Sequence, residues 1–192
     1  MRDLRGLRRT TAGVLVATAL LTGCSEKQGA NDTLPSPSAA ETSEALPEIG
    51  PADFPVPDEA RTKDAAGAEA FVRYYIELIN RTSEIPDADP LRQFSAGCED
   101  CDRIASFTEE AATLGNDPEG GQITIVEVGR PLMGADTAEL PIRIDQAEFV
   151  VLNSAGSPTD GGSPAFSNVL GGVALEWDGN RHSWLVTDLT FG

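Results

Sequence analysis

The hydrophobic pattern that follows Arg61 has a helical period. Apolar side chains recur there at spacings of three and four residues, which is the spacing of one face of an α-helix. The positions are Phe71, Val72, Tyr74, Tyr75, Ile76, Leu78 and Ile79. Thr62 or Asp64 is suited to cap the helix, and the pattern ends near Arg81. We therefore predict a long core helix.

Two more helices are predicted before the pattern changes. Asp89-Pro90 supplies a cap and a first helical residue for a short turn, which Gly97 closes. A third helix is predicted from about Cys98 to Leu114, because Gly115 follows as a natural C-terminal stop. The residues that we expect on its buried face are Ile104, Phe107, Ala111 and Leu114.

Strand patterns follow Gly121. Residues 123–126 are rich in β-branched side chains and predict a strand that ends near Gly129. Apolar and polar residues alternate over residues 140–151, but near Asp145 the apolar positions move to the other face of the strand. This change of phase predicts a bulge or a bend. Pro141 is expected only at a sheet edge or at a bulge, because it lacks a backbone N–H.

The last two strands are predicted as a hairpin. They run from Val173 to Trp177 and from Trp184 to Leu189, joined through Asp178-Gly179-Asn180. Helices thus come first and an antiparallel sheet of about four strands follows. This order predicts the α+β class, with the N-terminal helices packed on a curved sheet.

The N-terminus carries a different apolar pattern. Basic residues precede an apolar run of about 10 residues, residues 12–21, which is shorter than the roughly 20 that a membrane span needs. Leu21-Thr22-Gly23-Cys24 follows, with a small residue directly before the cysteine. We interpret residues 1–23 as a lipoprotein signal peptide, in preference to a transmembrane helix or an ordinary secretory signal. Arg8-Arg9 leaves export by the twin-arginine route open.

This lipobox resembles those of bacterial lipoproteins generally. The resemblance implies a diacylglyceryl group on the sulfur of Cys24 and often a further amide-linked acyl chain, such as palmitate. Two or three acyl chains hold a protein durably, so membrane lipid is the first expected partner. The expected location is the extracytoplasmic face of the cell membrane.

Residues 24–57 are rich in Pro, Ser, Ala and Glu. Such a composition buries too little apolar surface to offset the entropy lost on ordering, so we predict a disordered tether. Residues 58–192 are then the globular domain.

Charge limits the partners of this chain. Its 192 residues include 31 acidic and 14 basic side chains, for a net charge of −17. Nucleic-acid binding depends on cationic groups that displace counterions from phosphates. We therefore exclude nucleic acid and expect another surface protein or a small ligand as a partner.

Cys98 and Cys101 are the remaining cysteines once Cys24 is lipidated. Outside the cytoplasm a pair at this spacing favours a disulfide. A structural bond is preferred to a thiol-disulfide catalyst, because Glu99 and Asp100 disfavour a thiolate. A zinc site needs more ligands than this pair and a single histidine supply.

His182 lies beside the predicted hairpin turn and is interpreted as a solvated side chain. No local motif supplies a nucleophile and an acid for a triad around it. Gly120-Gly121 and Gly161-Gly162 lack the lysine and helix of a phosphate loop. We assign no catalytic, cofactor-binding or metal-binding residue.

Several motifs carry a resemblance to known families. They are the stretch Gly67-Ala68-Glu69-Ala70-Phe71-Val72-Arg73-Tyr74-Tyr75, then Asp89-Pro90-Leu91, then Cys98 with Cys101. With the element order, they are similar to the nuclear-transport-factor-two-like (NTF2-like) cone, related in shape to the cystatin arrangement. More narrowly, they resemble a family of actinobacterial lipoproteins that is a domain of unknown function.

Some relatives of the cone use a pocket carboxylate and a tyrosine for proton transfer. The resemblance therefore implies an alternative, a small lyase or isomerase with Tyr74 or Tyr75 and Asp145 in one cavity. Aromatic residues on a long helix are more often core, and Trp177 and Trp184 are interpreted in the same way. We expect a lipid-anchored, non-enzymatic module that binds a ligand or a neighbouring protein through its concave side or its rim.

Overall fold

The computed structural model describes residues 46–192. In that range a 3-10 helix and three α-helices precede seven strands: Asp58–Arg61, α1 (Ala65–Arg81), α2 (Asp89–Gln93), α3 (Glu99–Leu114), β1 (Asp117–Gly120), β2 (Ile123–Val128), β3 (Leu132–Met133), β4 (Thr137–Gln146), β5 (Phe149–Leu152), β6 (Phe166–Asp178) and β7 (Ser183–Phe191). The fold is α+β, as predicted. No helix in these residues is both long enough and apolar enough to cross a bilayer.

Helix α1 is the predicted core helix. The Asp64 carboxylate accepts a hydrogen bond of 2.8 Å from the backbone N–H of Gly67, which satisfies a donor of the first turn. Three of its side chains, Phe71, Tyr75 and Leu78, are no more than 1% exposed. The three-and-four spacing of its apolar residues therefore forms one side of the core.

Helix α3 has the predicted ends but only part of the predicted buried face: Ala111 is buried and Ile104 half-buried, as expected. Gly115 follows it in the left-handed conformation, with φ at 66°. Phe107 and Leu114, expected inside, are 36% and 58% exposed. The buried residues are Cys101, Ala105, Thr108 and Ala111. These side chains are small, so the helix can approach β7 closely, and the larger ones turn outward.

The main sheet has five strands in the order β2-β4-β6-β7, with the short β3 also paired to β4. All of these pairs are antiparallel. Alternate residues of β4 are buried, namely Ala138, Leu140, Ile142 and Ile144. Helix α1 contacts β2 and β4, and α3 contacts β7. One face of the sheet is thus covered by helices, and the strands outnumber the four expected.

The expected irregularity near Asp145 is confirmed. The pairing of β4 with β6 shifts register between Ile144 and Gln146. The Asp145 carboxylate accepts a 2.7 Å hydrogen bond from the backbone N–H of Asn168, which has a positive φ of 56°. A bulge of this kind increases the local twist and bends the strand.

Pro141 lies in a central strand but at a local gap in its pairing. On that side β2 pairs with β4 as far as Ile142, and β3 pairs with β4 at Ala138 and Glu139. The Pro141 carbonyl accepts a 2.8 Å bond from the N–H of Gly129. A strand residue directs its N and O to the same side. The N–H that proline lacks would therefore point into this gap, where neither β2 nor β3 pairs with Pro141.

Strands β1 and β5 form a separate two-stranded sheet. Asp117 pairs with Leu152 and Gly120 with Phe149. Residues 117–120 contain no hydrophobic alternation, so the sequence pattern gives no sign of a strand there. Pairing with the apolar β5 makes them a strand.

The last part of the predicted tether packs on the domain, although the sequence places it outside. We call residues 46–57 the strap. Val56 is 6% exposed, and the Phe54 ring stacks on Tyr74 at 5.2 Å. The Arg81 guanidinium binds the Asp53 carboxylate at 2.8 and 3.0 Å. The apolar residues of the strap, such as Phe54 and Val56, stand among prolines, so the average composition of the stretch predicted disorder.

Arg61 joins the strap to the turn between β6 and β7. It is only 6% exposed and donates to three backbone carbonyls. One bond reaches Pro47 at 2.7 Å, and the others reach Arg181 at 3.0 Å and His182 at 3.3 Å. The turn between β6 and β7 is thus tied to the strap through one side chain.

Candidate functional site

A cavity of about 330 Å³ lies between the helices and one end of the sheet. We call it the helix–sheet cavity. Its wall is formed by the end of α1 with the following loop, by α3, by β1, and by the facing ends of β2 and β4. Phe149 of β5 and Phe191 of β7 complete it. Five or more segments far apart in sequence therefore meet there.

Apolar atoms form a little more than half of the wall surface. The apolar residues that line it are Ile79, Pro86, Ile104, Phe107, Ala111, Pro118, Ile123, Phe149 and Phe191. Ligand sites are generally clefts of about 300–1,000 Å³ with this type of lining and a few polar groups. The helix–sheet cavity is at the small end of that range.

An aromatic pair borders the cavity. The ring of Phe107 on α3 meets the ring of Phe149 on β5 edge to face, with centroids 5.6 Å apart and an interplanar angle of 64°. Phe107 was predicted as a core residue of α3, but it lines the cavity and remains partly exposed. The outward turn of this side chain is what gives the cavity its aromatic border.

Asn80 holds one wall in place. Its side-chain amide donates to the Ile123 carbonyl at 2.9 Å and accepts from the Ile123 N–H at 2.8 Å. The two bonds join α1 to the start of β2 in the manner of a strand pair. Asn80 is therefore committed to the scaffold.

Other polar side chains in the wall are open to a ligand. Gln122 and Gln146 line the cavity, and neither side chain hydrogen-bonds another of residues 46–192. The Thr108 hydroxyl donates to the Ile104 carbonyl at 3.1 Å, so its oxygen remains able to accept. These groups can orient a ligand by hydrogen bonds.

Three charged side chains also line the cavity, namely Glu84, Arg103 and Asp117. All three residues are exposed, so they lie at the mouth and not in the interior. The Arg103 guanidinium binds the Asp100 carboxylate at 2.8 and 3.1 Å. The two carboxylates of Glu84 and Asp117 have no such partner among the described residues.

The structure does not bring the imagined proton-transfer residues together. Tyr74 donates to the Phe54 carbonyl at 3.2 Å, and Tyr75 donates to the Leu91 carbonyl at 3.3 Å. Burial raises the pKa of both hydroxyls, so they stay neutral. Asp145 binds a backbone N–H of β6, and none of the three lines the cavity.

Cys98 and Cys101 lie at the start of α3 with their sulfurs at bonding distance, as predicted. Both residues are 1% exposed. The Cys98 sulfur also accepts a 3.1 Å hydrogen bond from the Cys101 N–H and so caps the helix. The pair is away from the cavity wall.

His182 and the tryptophans lie at the β6–β7 hairpin. His182 is exposed, as predicted, and its ring meets Trp177 edge to face at 6.5 Å. Trp184 is fully buried and donates to the Thr62 carbonyl at 3.0 Å, which agrees with a core role. None of these residues borders the helix–sheet cavity.

Among the described residues no group of three or more His, Cys, Asp or Glu side chains is placed to hold a metal ion. The predicted lipidation site, Cys24, and the predicted signal peptide lie outside the described residues.

Comparison with known proteins gives a likeness in fold. No family model matches the chain, and no curated protein matches it. The intermembrane space region of the chloroplast protein ARC6 aligns with 68% of this chain and 97% of its own length, at 13% identity and a TM-score of 0.52.

An NTF2-like designed protein, Rd1NTF2_05 with point substitutions, aligns with 65% of this chain and 99% of its own, at 11% identity and a TM-score of 0.38. The second likeness is too weak to carry an argument. The first, at such low identity, concerns the fold alone.

Proposed function

We propose that this chain is a non-enzymatic, lipid-anchored binding module that takes a small, largely apolar ligand into the helix–sheet cavity. The observation that carries the proposal is the wall of that cavity. It combines an aromatic pair and several aliphatic side chains with a few open hydrogen-bonding groups. This is the usual composition of a small-molecule site.

A binding role fits the titratable groups better than catalysis does. Proton transfer needs an acid and a base within reach of one reacting atom. The cavity is lined by no histidine and no tyrosine of the described chain. Its arginine is held by Asp100, and its carboxylates lie at the exposed mouth.

The anchor is part of the same proposal. Cys24 carries the acyl chains, and the residues between it and the strap connect the membrane to the domain. The helices-first order, and a cavity between helices and sheet, support the narrower proposal of an NTF2-like cone. Membership in a family of actinobacterial lipoproteins is proposed on the sequence motifs alone. The protein then works at the extracytoplasmic face of the membrane.

Binding of a neutral apolar dye, such as Nile red, tests the cavity. We expect saturable binding that Phe107→Ala weakens by about tenfold or more, the equivalent of roughly 1.4 kcal/mol. Phe166→Ala is the matched control, because Phe166 is 44% exposed and lies outside this cavity. Ala111→Phe fills the cavity from within, and its thermal melt shows whether it folds.

If Phe107→Ala and a folded Ala111→Phe bind the dye as tightly as the wild-type chain does, the cavity is not the ligand site.

The lipid anchor at Cys24 is tested separately. Cells fed an alkyne fatty acid label the wild-type chain but not Cys24→Ala. Label on the variant, or an unmodified Cys24 in the mass of the native product, contradicts the anchor.

A further inference from the structure

The mouth of the helix–sheet cavity is acidic. Glu84 in the loop after α1 and Asp117 at the start of β1 both line it and are both exposed. Arg103 is the cation at the mouth, and the Asp100 carboxylate neutralises it at 2.8 Å. The local balance is therefore negative, in a chain whose net charge is already −17.

We infer that the ligand of this cavity is an amphiphilic cation, with an apolar body inside the cavity and an ammonium-type head at its mouth. The inference rests on the proposed function and names the ligand class of that same site. It depends on the separation of two environments, an apolar interior and a carboxylate-bearing mouth.

The interior accepts the apolar body but not the charge. Ile104, Ala111 and Ile123 line it, and an ion moved among them loses hydration that the uncharged Thr108, Gln122 and Gln146 side chains replace only in part. A charged head must therefore stay at the mouth. There it meets Glu84 and Asp117, which attract a cation and repel a carboxylate.

Phe107 adds a second attraction at the same place. Phe107 lines the cavity and is 36% exposed, so its ring can be reached from the solvent side. The face of an aromatic ring attracts ammonium groups, and such contacts are common in sites for quaternary ammonium ligands. An anionic amphiphile of the same length gains neither contact.

Three ligands with the same ten-carbon chain test the inference. Decyltrimethylammonium, decanol and decanoate compete with Nile red below their micelle concentrations, at low salt. We expect the ammonium compound to displace the dye at the lowest concentration and decanoate at the highest, with at least a tenfold difference between them. The difference shrinks in 0.5 M salt, because salt screens exposed charges.

Variants that remove charge show which carboxylates cause the preference for decyltrimethylammonium over decanoate. Glu84→Gln with Asp117→Asn should reduce the preference for the ammonium compound over decanoate to the part that Phe107 supplies, while the affinity for decanol stays unchanged. The matched control is Glu139→Gln with Glu176→Gln, which removes the same charge from exposed positions outside this cavity. This control should keep the preference, since the attraction is local.

The possible outcomes distinguish a failure of the cationic ligand class from a failure of the cavity as a binding site. Decanoate binding as tightly as decyltrimethylammonium overturns the ligand class and leaves the cavity as a binding site. The ligand class also fails if both double variants lose the preference equally, because general acidity then explains it. If none of the three ligands displaces the dye through a Phe107-dependent site, the proposed function itself fails.

Discussion

Two neighbouring glycines in β6 have different reasons to be there. A Cβ on Gly171 would lie 2.3 Å from the Thr190 carbonyl oxygen, so only glycine fits. A Cβ on Gly172 would meet nothing nearer than the Thr190 hydroxyl at 3.7 Å. Neither residue has a positive φ. Packing thus requires the first glycine, and the fold does not require the second.

Alanine at each position tests this distinction. Gly172→Ala should raise the free energy of unfolding by about 0.5–1 kcal/mol, because it removes backbone freedom from the unfolded chain. Gly171→Ala should lower it by more than about 1 kcal/mol, because the strand must move away from Thr190. Urea unfolding of both variants measures the difference. A destabilised Gly172→Ala contradicts the open space at that position.

At the scale of elements, sequence pattern predicted those whose signals are local. Helix α1 has a cap at Asp64 and a regular apolar stripe, and both are found as expected. The phase change near Asp145 likewise has a local cause, because a strand cannot change its buried face without a bulge.

The missed features depend on distant partners. The strand β1 is polar and is fixed by pairing with β5. The buried face of α3 depends on how closely small residues such as Ala105 approach the sheet, so Phe107 was assigned to the wrong side. The helix–sheet cavity joins segments from Ile79 to Phe191, and no window of sequence contains it.

The disulfide belongs to α3 and should be structural. Closing a loop of so few residues restricts the unfolded chain by only about 2 kcal/mol, and the Cys98 cap adds less than about 1 kcal/mol because sulfur is a weak acceptor. We expect Cys98→Ala with Cys101→Ala to lower the free energy of unfolding by about 2–3 kcal/mol. Cys101→Ala alone, which keeps the capping sulfur, should lose less. Denaturant unfolding of the oxidised chains measures both.

A redox role would require a bond that is easily reduced in the folded protein, and the structure predicts a resistant one. Both sulfurs are buried, so the bond should resist glutathione buffers while the chain stays folded. Mass spectrometry after alkylation detects any reduction. Rapid reduction in the native state would favour the thiol-disulfide alternative over a structural bond.

At the scale of the whole molecule, acid should destabilise the fold. Hydrogen bonds to the native carboxylates lower three pKa values: those of Asp53 through Arg81, of Asp64 through the Gly67 N–H, and of Glu109 through Arg92. A carboxylate whose pKa is lowered by folding stabilises the protein above its ordinary pKa. That contribution disappears as the pH falls through the lower, folded value.

Stability should therefore begin to fall below about pH 4, near the ordinary pKa of these groups. Thermal melts from pH 7 to pH 2 measure the decline. Asp53→Asn, Asp64→Asn and Glu109→Gln together should flatten it. Asp160→Asn, Glu139→Gln and Glu176→Gln form the control, because these three make no side-chain hydrogen bond within residues 46–192. Equal flattening by both sets contradicts a role for those three bonds.

The strap also determines how the domain responds to tension. A pull along the chain from the N-terminal side reaches the folded core first at Pro47, where Arg61 also holds the β6–β7 turn. Next come the Asp53–Arg81 contact and the Phe54 ring on Tyr74. These attachments lie one after another along the strap. We therefore expect them to break one after another and to lengthen the connection before α1 unwinds.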